Sequence, residues 1–123
     1  MPSNIHRGPR QIWLALIWSL KGLRAGWRVE ASFRLEVILF LILFPAGLWL
    51  GDGAIEKALL AGSLLPVLAA EMLNSGLECV IDKLWPELHP VAGRAKDMGS
   101  AAVFLLMVNV LVIWITILLP RAL

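Results

Sequence analysis

Hydrophobic positions along the chain form one interrupted segment near the start and three long apolar segments after it. Between Gln11 and about residue 30, apolar residues recur at helical spacing while basic residues interrupt them, which predicts an amphipathic helix. The apolar positions are Ile12, Trp13, Leu16, Ile17, Leu20, Leu23 and Trp27. We interpret this segment, about residues 11–30, as a helix lying at a membrane surface; the alternative is an internal helix packed on a bundle.

The three long segments are candidates for membrane-spanning helices, which need roughly 20 mostly apolar residues. Met98–Leu119 contains no charged residue, and Val37–Leu50 is also uncharged but reaches spanning length only if the helix begins near Ala31. Ala58–Ile81 is long enough and carries two glutamates. The predicted spans are therefore about residues 31–50, 54–84 and 96–119.

Two connections separate these spans. Gly51, Asp52 and Gly53 predict a tight hairpin turn between the first two spans. The second connection, Leu84–Asp97, is longer and is predicted as a loop because it contains Trp85, Pro86, His89, Pro90 and Gly93. Pro66 lies inside the second span, where it either kinks the helix or is simply tolerated.

Composition supports a membrane protein of one domain, residues 1–123, and the predicted fold class is all-α. The 123 residues are 59% hydrophobic and 16% charged, which is too apolar for an ordinary soluble domain. The net charge of +2 is too small to suggest nucleic-acid binding, and the single Cys79 cannot form an internal disulfide. We expect no removed signal peptide, because the first strong apolar run begins late.

Lys and Arg residues predict the orientation, because they are enriched on cytoplasmic flanks. They concentrate before the first span and between the second and third spans. With three spans, the N-terminus and the second connection are then cytoplasmic and the C-terminus lies outside. The basic residues of the two flanks are Arg7, Arg10, Lys21, Arg24, Arg28, Arg34, Lys83, Arg94 and Lys96.

An acidic stripe in the second span is the strongest candidate for chemistry. Glu71, Asn74, Glu78 and Asp82 share one helical face, and acids within a span are usually functional. Glu71 and Glu78 are about 10.5 Å apart along the axis, so two separate roles are more economical than one shared ion. Carboxylates suit Mg²⁺, which is often shared with substrate phosphates.

Residues outside the stripe could complete such a site. Lys96 and Asp97 at the start of the third span provide a cation for phosphate and another carboxylate, and Glu30 could add a metal ligand. A simpler interpretation exists for Arg34, Glu36 and Asp82, which lie near span ends and would serve as interfacial anchors. The chain has no P-loop, kinase-type glycine loop, serine-hydrolase elbow or zinc-protease motif.

Several separated motifs, in order, resemble the bacterial diacylglycerol kinase family. They are Lys21-Gly22-Leu23-Arg24-Ala25 with Trp27 and Glu30, Phe33-Arg34-x-Glu36, Glu71-x-x-Asn74-Ser75-x-x-Glu78, and Gly93-Arg94-Ala95-Lys96-Asp97-Met98-Gly99-Ser100-Ala101-Ala102-Val103. The similarity runs from about Ser19 to Val103. Gln11 and Leu35 depart from the family pattern, outside the acidic set.

The resemblance implies a homotrimer of three-span subunits, each with a surface helix, whose active sites are shared between neighbours. The implied reaction is phosphoryl transfer from MgATP to diacylglycerol at the inner membrane, giving phosphatidic acid. By analogy Glu71 is the general base, while Glu30 and Glu78 hold magnesium with ATP. Further residues would arrange the base and phosphates (Asn74, Lys96, Asp97), lie near the nucleotide (Glu87, His89) or contact the lipid (Arg24, Glu36, Ser100).

Three alternatives remain open. An undecaprenol kinase would use the same mechanism on a polyprenyl alcohol, although the Asn74-Ser75 and Met98-Gly99-Ser100 motifs favour diacylglycerol. A small membrane transporter would use Glu71 or Glu78 to bind a cation or proton, which leaves the order of the motifs unexplained. A non-catalytic helical assembly protein would not need the acidic stripe.

Overall fold

The computed structural model describes residues 8–123, so Arg7, counted above in the basic flank, lies outside the described residues. The chain forms α1 (Pro9–Val29), α2 (Ala31–Leu50), α3 (Gly53–Gly62), α4 (Leu64–Leu84) and α5 (Pro90–Ala122). No strand occurs in this range, which confirms the all-α prediction. Three segments are long and apolar enough to cross a membrane: Ala31–Leu50, Gly53–Leu84 and Pro90–Ala122.

Helix α1 begins two residues before the predicted start, because Pro9 fits the first helical position, where its missing N–H is not needed. It ends at Glu30, whose extended backbone (φ −107°, ψ 112°) redirects the chain into α2. Arg34 of α2 donates to the carbonyls of Trp27 and Arg28, at 2.8 and 3.2 Å. Arg34 therefore satisfies carbonyls at the end of α1, a role that the anchor interpretation did not include.

The apolar stripe of α1 is left uncovered by the rest of the chain. Ile12 is 75% exposed and Trp13 is 62% exposed. Gly26 is the buried residue of this helix, and it faces the side chain of Met72 on α4. This exposure argues for the membrane-surface interpretation and against packing of α1 along the bundle of its own chain.

The second span is divided into α3 and α4 at Ser63. Pro66 has no N–H, so the carbonyl of Gly62 cannot receive its usual helical hydrogen bond. Near the break, the carbonyl of the fully buried Leu60 accepts from Ser63 Oγ at 2.9 Å and from Trp114 Nε1 at 3.1 Å. Side chains thus provide additional hydrogen bonds to the backbone one turn before the interruption.

Close helix contact on this side of the molecule depends on Gly47. A Cβ there would lie 3.0 Å from the backbone nitrogen of Ala61, so α2 and α3 could not approach as they do. The two helices are joined by the hairpin turn, in which Gly53 has φ +82°. Arg121 at the end of α5 donates to the Leu50 carbonyl and to the Glu56 carboxylate, which ties the C-terminal end to this hairpin.

The loop before α5 is shorter than predicted. Helix α5 begins at Pro90, whereas the sequence predicts that the third span begins at about residue 96. Gly93 lies within the helix. Pro90 occupies the favoured first position, and His89 Nδ1 accepts from Val91 N at 3.2 Å as an N-cap. The connection is reduced to residues 85–89.

The core of a single chain is small. Only 28% of the most apolar window of Gly53–Leu84 and 6% of that of Pro90–Ala122 is buried within the chain. Most of the apolar surface therefore faces outward, as expected for a membrane protein covered by lipid or by other subunits. The buried hydrophobic residues are Phe33, Leu60, Ala61, Leu64, Val67, Ile81 and Val103.

The carbonyl of Leu60 provides a test of the helix break. We expect Trp114→Phe and Ser63→Ala each to lower the free energy of unfolding by about 1 kcal/mol, because each removes a donor in an apolar setting. The double variant should lose more than the sum, because either donor alone still satisfies the carbonyl. Unfolding in detergent micelles measures this.

Trp49→Phe is the matched control, because Trp49 is 83% exposed. It should leave the free energy of unfolding unchanged. Strictly additive losses at Trp114 and Ser63 would contradict a shared role at the Leu60 carbonyl.

Candidate functional site

Three helices contribute polar side chains to one cavity of about 350 Å³. Helix α4 supplies Glu71, Asn74 and Glu78, which helical spacing places on one face. Ser32 of α2 and Ser100 of α5 complete the polar lining, and the apolar wall comes from Val103, Phe104 and Met107. Glu71, Asn74 and Glu78 of the predicted acidic stripe therefore line this cavity together, whereas Asp82 does not.

Glu71 is the buried acid of this cavity, with 6% of its surface exposed. Ser32 Oγ donates to Glu71 Oε1 at 2.7 Å. The Glu36 carboxyl group lies close enough to Glu71 to interact with it electrostatically. Burial of a carboxylate in an apolar bundle is unfavourable unless it is hydrogen-bonded, so the Ser32 contact stabilises Glu71 where it lies.

Glu36 points into the bundle, and its interpretation as an interfacial anchor is wrong. Its Oε2 is buried and has no hydrogen-bond partner within residues 8–123. The side chain also borders an apolar groove of about 340 Å³ between α2, α4 and α5. Its position one turn after Ser32 directs both residues toward Glu71.

Asn74 lies on α4 against Gly99 of α5. Its Nδ2 is 3.5 Å from Glu78 Oε1, the outer limit of a hydrogen bond. Its Oδ1 is buried and has no partner in the described part of the chain. Gly99 of α5 makes this approach possible, because a Cβ at residue 99 would overlap Asn74 Oδ1. Asn74 thus presents an unused acceptor beside the acidic cavity.

A second cavity of about 320 Å³ lies between the end of α4, the loop and the start of α5. Lys96 Nζ donates to Asp82 Oδ1 at 2.8 Å across this cavity, so Asp82 is an ion-pair partner, which the anchor interpretation missed. Both side chains are exposed, and exposed ion pairs contribute little to stability. Glu87, His89 and Asp97 also line this cavity.

The two cavities follow one another along the groove between α4 and α5. Glu78 lines the first and Asp82, one turn later, lines the second. On α5, Asp97 lines the second cavity and Ser100, three residues later, lines the first.

Three predicted residues do not line these two cavities within one chain: Glu30, Arg24 and Glu36. Glu30 lies at the junction of α1 and α2, Arg24 is exposed on α1, and Glu36 borders the apolar groove. No three His, Cys, Asp or Glu side chains in the described range converge as metal ligands. Glu78 nevertheless fits Mg²⁺, which commonly binds one or two carboxylates together with substrate phosphates.

Ser32 is the site residue that sequence reasoning missed. A signal was available, since Ser32 is a hydroxyl residue at the start of the first span and lies four residues before Glu36. Helical neighbours at this spacing share a face, so a functional Glu36 would have pointed to Ser32. Its contact with Glu71 joins residues 39 positions apart, which helical spacing cannot predict.

The comparisons with known proteins all identify the same family. Residues 17–118 match the family model described as prokaryotic diacylglycerol kinase. The diacylglycerol kinase of Escherichia coli strain K12 is 41% identical over 112 residues, covering 91% of this chain and 92% of the relative. That of Haemophilus influenzae is 44% identical over 97 residues (79% and 82%), and that of Pseudomonas aeruginosa is 41% identical over 118 residues (96% of each).

The close approach at Gly99 can be tested by adding a single methyl group. We expect Gly99→Ala to be less stable than Gly76→Ala by about 1 kcal/mol, because its Cβ overlaps Asn74 Oδ1 and the amide must turn away from its place beside Glu78. Thermal unfolding in detergent measures the loss. Gly76→Ala on α4 is the control, because a Cβ there meets nothing within 4 Å. Equal stability of the two variants would contradict the crossing described here.

Proposed function

Because the chain belongs to the prokaryotic diacylglycerol kinase family, we propose that it transfers the γ-phosphoryl group of ATP to the free hydroxyl of diacylglycerol. The products are phosphatidic acid and ADP. The observation that carries the proposal is a buried glutamate, Glu71, lining a cavity at the membrane-spanning bundle with Asn74 and Glu78. A lipid hydroxyl can reach this cavity from the bilayer, and a nucleotide can reach it along the α4–α5 groove.

Glu71 acts as the general base in this proposal. The lipid hydroxyl oxygen forms a bond to the γ-phosphorus while its proton passes to the Glu71 carboxylate. The bond between the γ-phosphorus and the bridging oxygen breaks, and ADP leaves with that oxygen. Positioning and charge stabilisation dominate such a transfer, so the residues around Glu71 serve mainly to hold the reacting groups in line.

The nucleotide occupies the loop cavity, near Glu87 and His89, with its phosphates directed toward Glu78. Lys96 gives up its ion pair with Asp82 and binds a phosphate group of the nucleotide instead. This exchange is feasible because an exposed ion pair contributes little free energy. Asp97 and Asn74 arrange the phosphates and the base. Glu78 and Glu30 hold Mg²⁺, which neutralises the charge on the phosphates when bound.

Arg24, Glu36 and Ser100 contact the lipid around Glu71. Ser100 lines the acidic cavity and Glu36 borders the apolar groove, so both lie where a lipid with a polar head would pass. Arg24 on the surface helix is suited to reach the headgroup region.

The working form is a homotrimer in the bacterial inner membrane, with a cytoplasmic N-terminus, a periplasmic C-terminus and active sites shared between subunits. Two observations support assembly. The spanning helices leave most of their apolar surface uncovered, and Glu30 does not line the acidic cavity of its own chain. Neighbouring subunits can cover the surface and complete the ligand set.

Phosphate transfer to lipid tests the function directly. Purified protein in detergent or a lipid phase is given γ-labelled ATP and Mg²⁺ with diacylglycerol or undecaprenol in parallel. We expect labelled phosphatidic acid as the dominant product. Dominant polyprenyl phosphate would preserve the mechanism and change the acceptor, whereas no labelled lipid from a folded sample would contradict a kinase.

Replacement of the base should separate folding from chemistry. We expect Glu71→Gln to reduce kcat by at least about 10²-fold, because the amide cannot accept the hydroxyl proton. Thermal unfolding and the oligomeric state should stay close to those of the unchanged protein, since glutamine preserves the shape of the side chain. Retained turnover would remove Glu71 from the base role.

Glu78→Gln provides the comparison within the same cavity. It should raise the Mg²⁺ concentration needed for half-maximal rate as well as lower the rate, whereas Glu71→Gln should leave the Mg²⁺ response unchanged. Asp52→Asn is the matched carboxylate control, because Asp52 is exposed in the hairpin at the other end of the spans. An unchanged Mg²⁺ response in Glu78→Gln would count against a ligand role.

A further inference from the structure

Ser32 makes a hydrogen bond that the reaction scheme above does not use. Its Oγ donates to Glu71 Oε1 at 2.7 Å and joins the first turn of α2 to the middle of α4. Ser32 is exposed while Glu71 is buried, and both line the acidic cavity. Both residues of this hydrogen bond therefore belong to the wall of the cavity in which the reaction is proposed.

A glutamate that accepts a proton must present a carboxylate oxygen to the substrate hydroxyl. The side chain of Glu71 has several rotatable bonds, and a single hydrogen bond to Oε1 limits how the carboxylate can turn. Hydrogen bonds to a charged acceptor are stronger than neutral ones, so one hydroxyl suffices for this restraint. With Oε1 engaged by Ser32, Oε2 is the oxygen left to receive a proton.

Ser32 supplies the donor that α2 presents to Glu71. Glu36 lies one helical turn after Ser32, and its Oε2 is buried and has no hydrogen-bond partner in the described part of the chain. Loss of the Ser32 hydroxyl removes the described hydrogen bond from α2 to Glu71 Oε1, and the carboxylate is then less restrained in how it turns.

We propose that Ser32 is a positioning residue for the reaction: its hydroxyl holds Glu71 Oε1 so that Oε2 faces the lipid hydroxyl. The inference rests on the proposed function, because it assigns Ser32 a role through Glu71. Ser32 itself forms no bond to phosphorus and takes no proton in the transfer. Its effect is on the fraction of Glu71 side chains that are correctly oriented.

Kinetics of three serine variants test this role. Ser32→Ala should lower kcat about tenfold, the loss expected for one hydrogen bond to a charged group, while KM for MgATP changes by less than about twofold. Ser32→Thr keeps the hydroxyl and should retain most of the rate. Ser19→Ala is the control, because Ser19 Oγ donates to Ala15 O on exposed α1, and it should match the unchanged protein.

A double-variant comparison distinguishes positioning from a structural role. In the Glu71→Gln background, Ser32→Ala should have little further effect on residual turnover, because there is no base left to orient. Thermal unfolding of each variant shows whether the bundle is intact.

Three results would overturn the inference. The first is unchanged kcat in Ser32→Ala, and the second is an equal loss in Ser32→Thr. The third is a loss in the Glu71→Gln background as large as in the unchanged protein. Failure of the proposed function gives a different pattern, since the unchanged protein would then label no lipid.

Discussion

A polar group in an apolar medium is unfavourable by several kcal/mol unless it finds a partner, and this constraint governs the whole chain. It explains why Leu60, at the break between α3 and α4, receives donors from both Ser63 and Trp114. It also explains why the buried Glu71 is paired with Ser32. A backbone carbonyl and a glutamate are thus stabilised in the same way, by a side-chain donor from a nearby turn or helix.

Two buried polar atoms near the candidate site do not meet this constraint. Glu36 Oε2 and Asn74 Oδ1 are buried without a hydrogen-bond partner in the part of the chain that the structure describes. Glu36 interacts with Glu71, and Asn74 lines the acidic cavity. Proteins tolerate locally unfavourable arrangements where function requires them. Unsatisfied polar atoms around one buried acid therefore support a catalytic cavity, beyond the resemblance of the motifs.

Hydrophobic patterning predicted the helices well and their ends poorly. The predicted bounds of the first span coincide with α2, Ala31–Leu50, because a glycine follows the uncharged run 37–50 and spanning length requires a start near Ala31. The predicted length of the second connection is greater than the observed one, because the sequence analysis treats Pro90 and Gly93 as residues that interrupt a helix. Proline at a helix start and glycine inside a membrane helix are both well tolerated, so residue type alone misplaces that boundary.

The sequence by itself determined the helical class, the number of spanning segments and the acidic face of α4, because these follow from local periodicity and from the free energy of burying polar groups. Only the tertiary structure decided which side chains meet. Ser32 with Glu71, Lys96 with Asp82 and Gly99 beside Asn74 are contacts between different helices. Such contacts depend on the rotation and crossing of helices, which are set by packing of the whole bundle. They therefore cannot be predicted from the periodicity of the sequence.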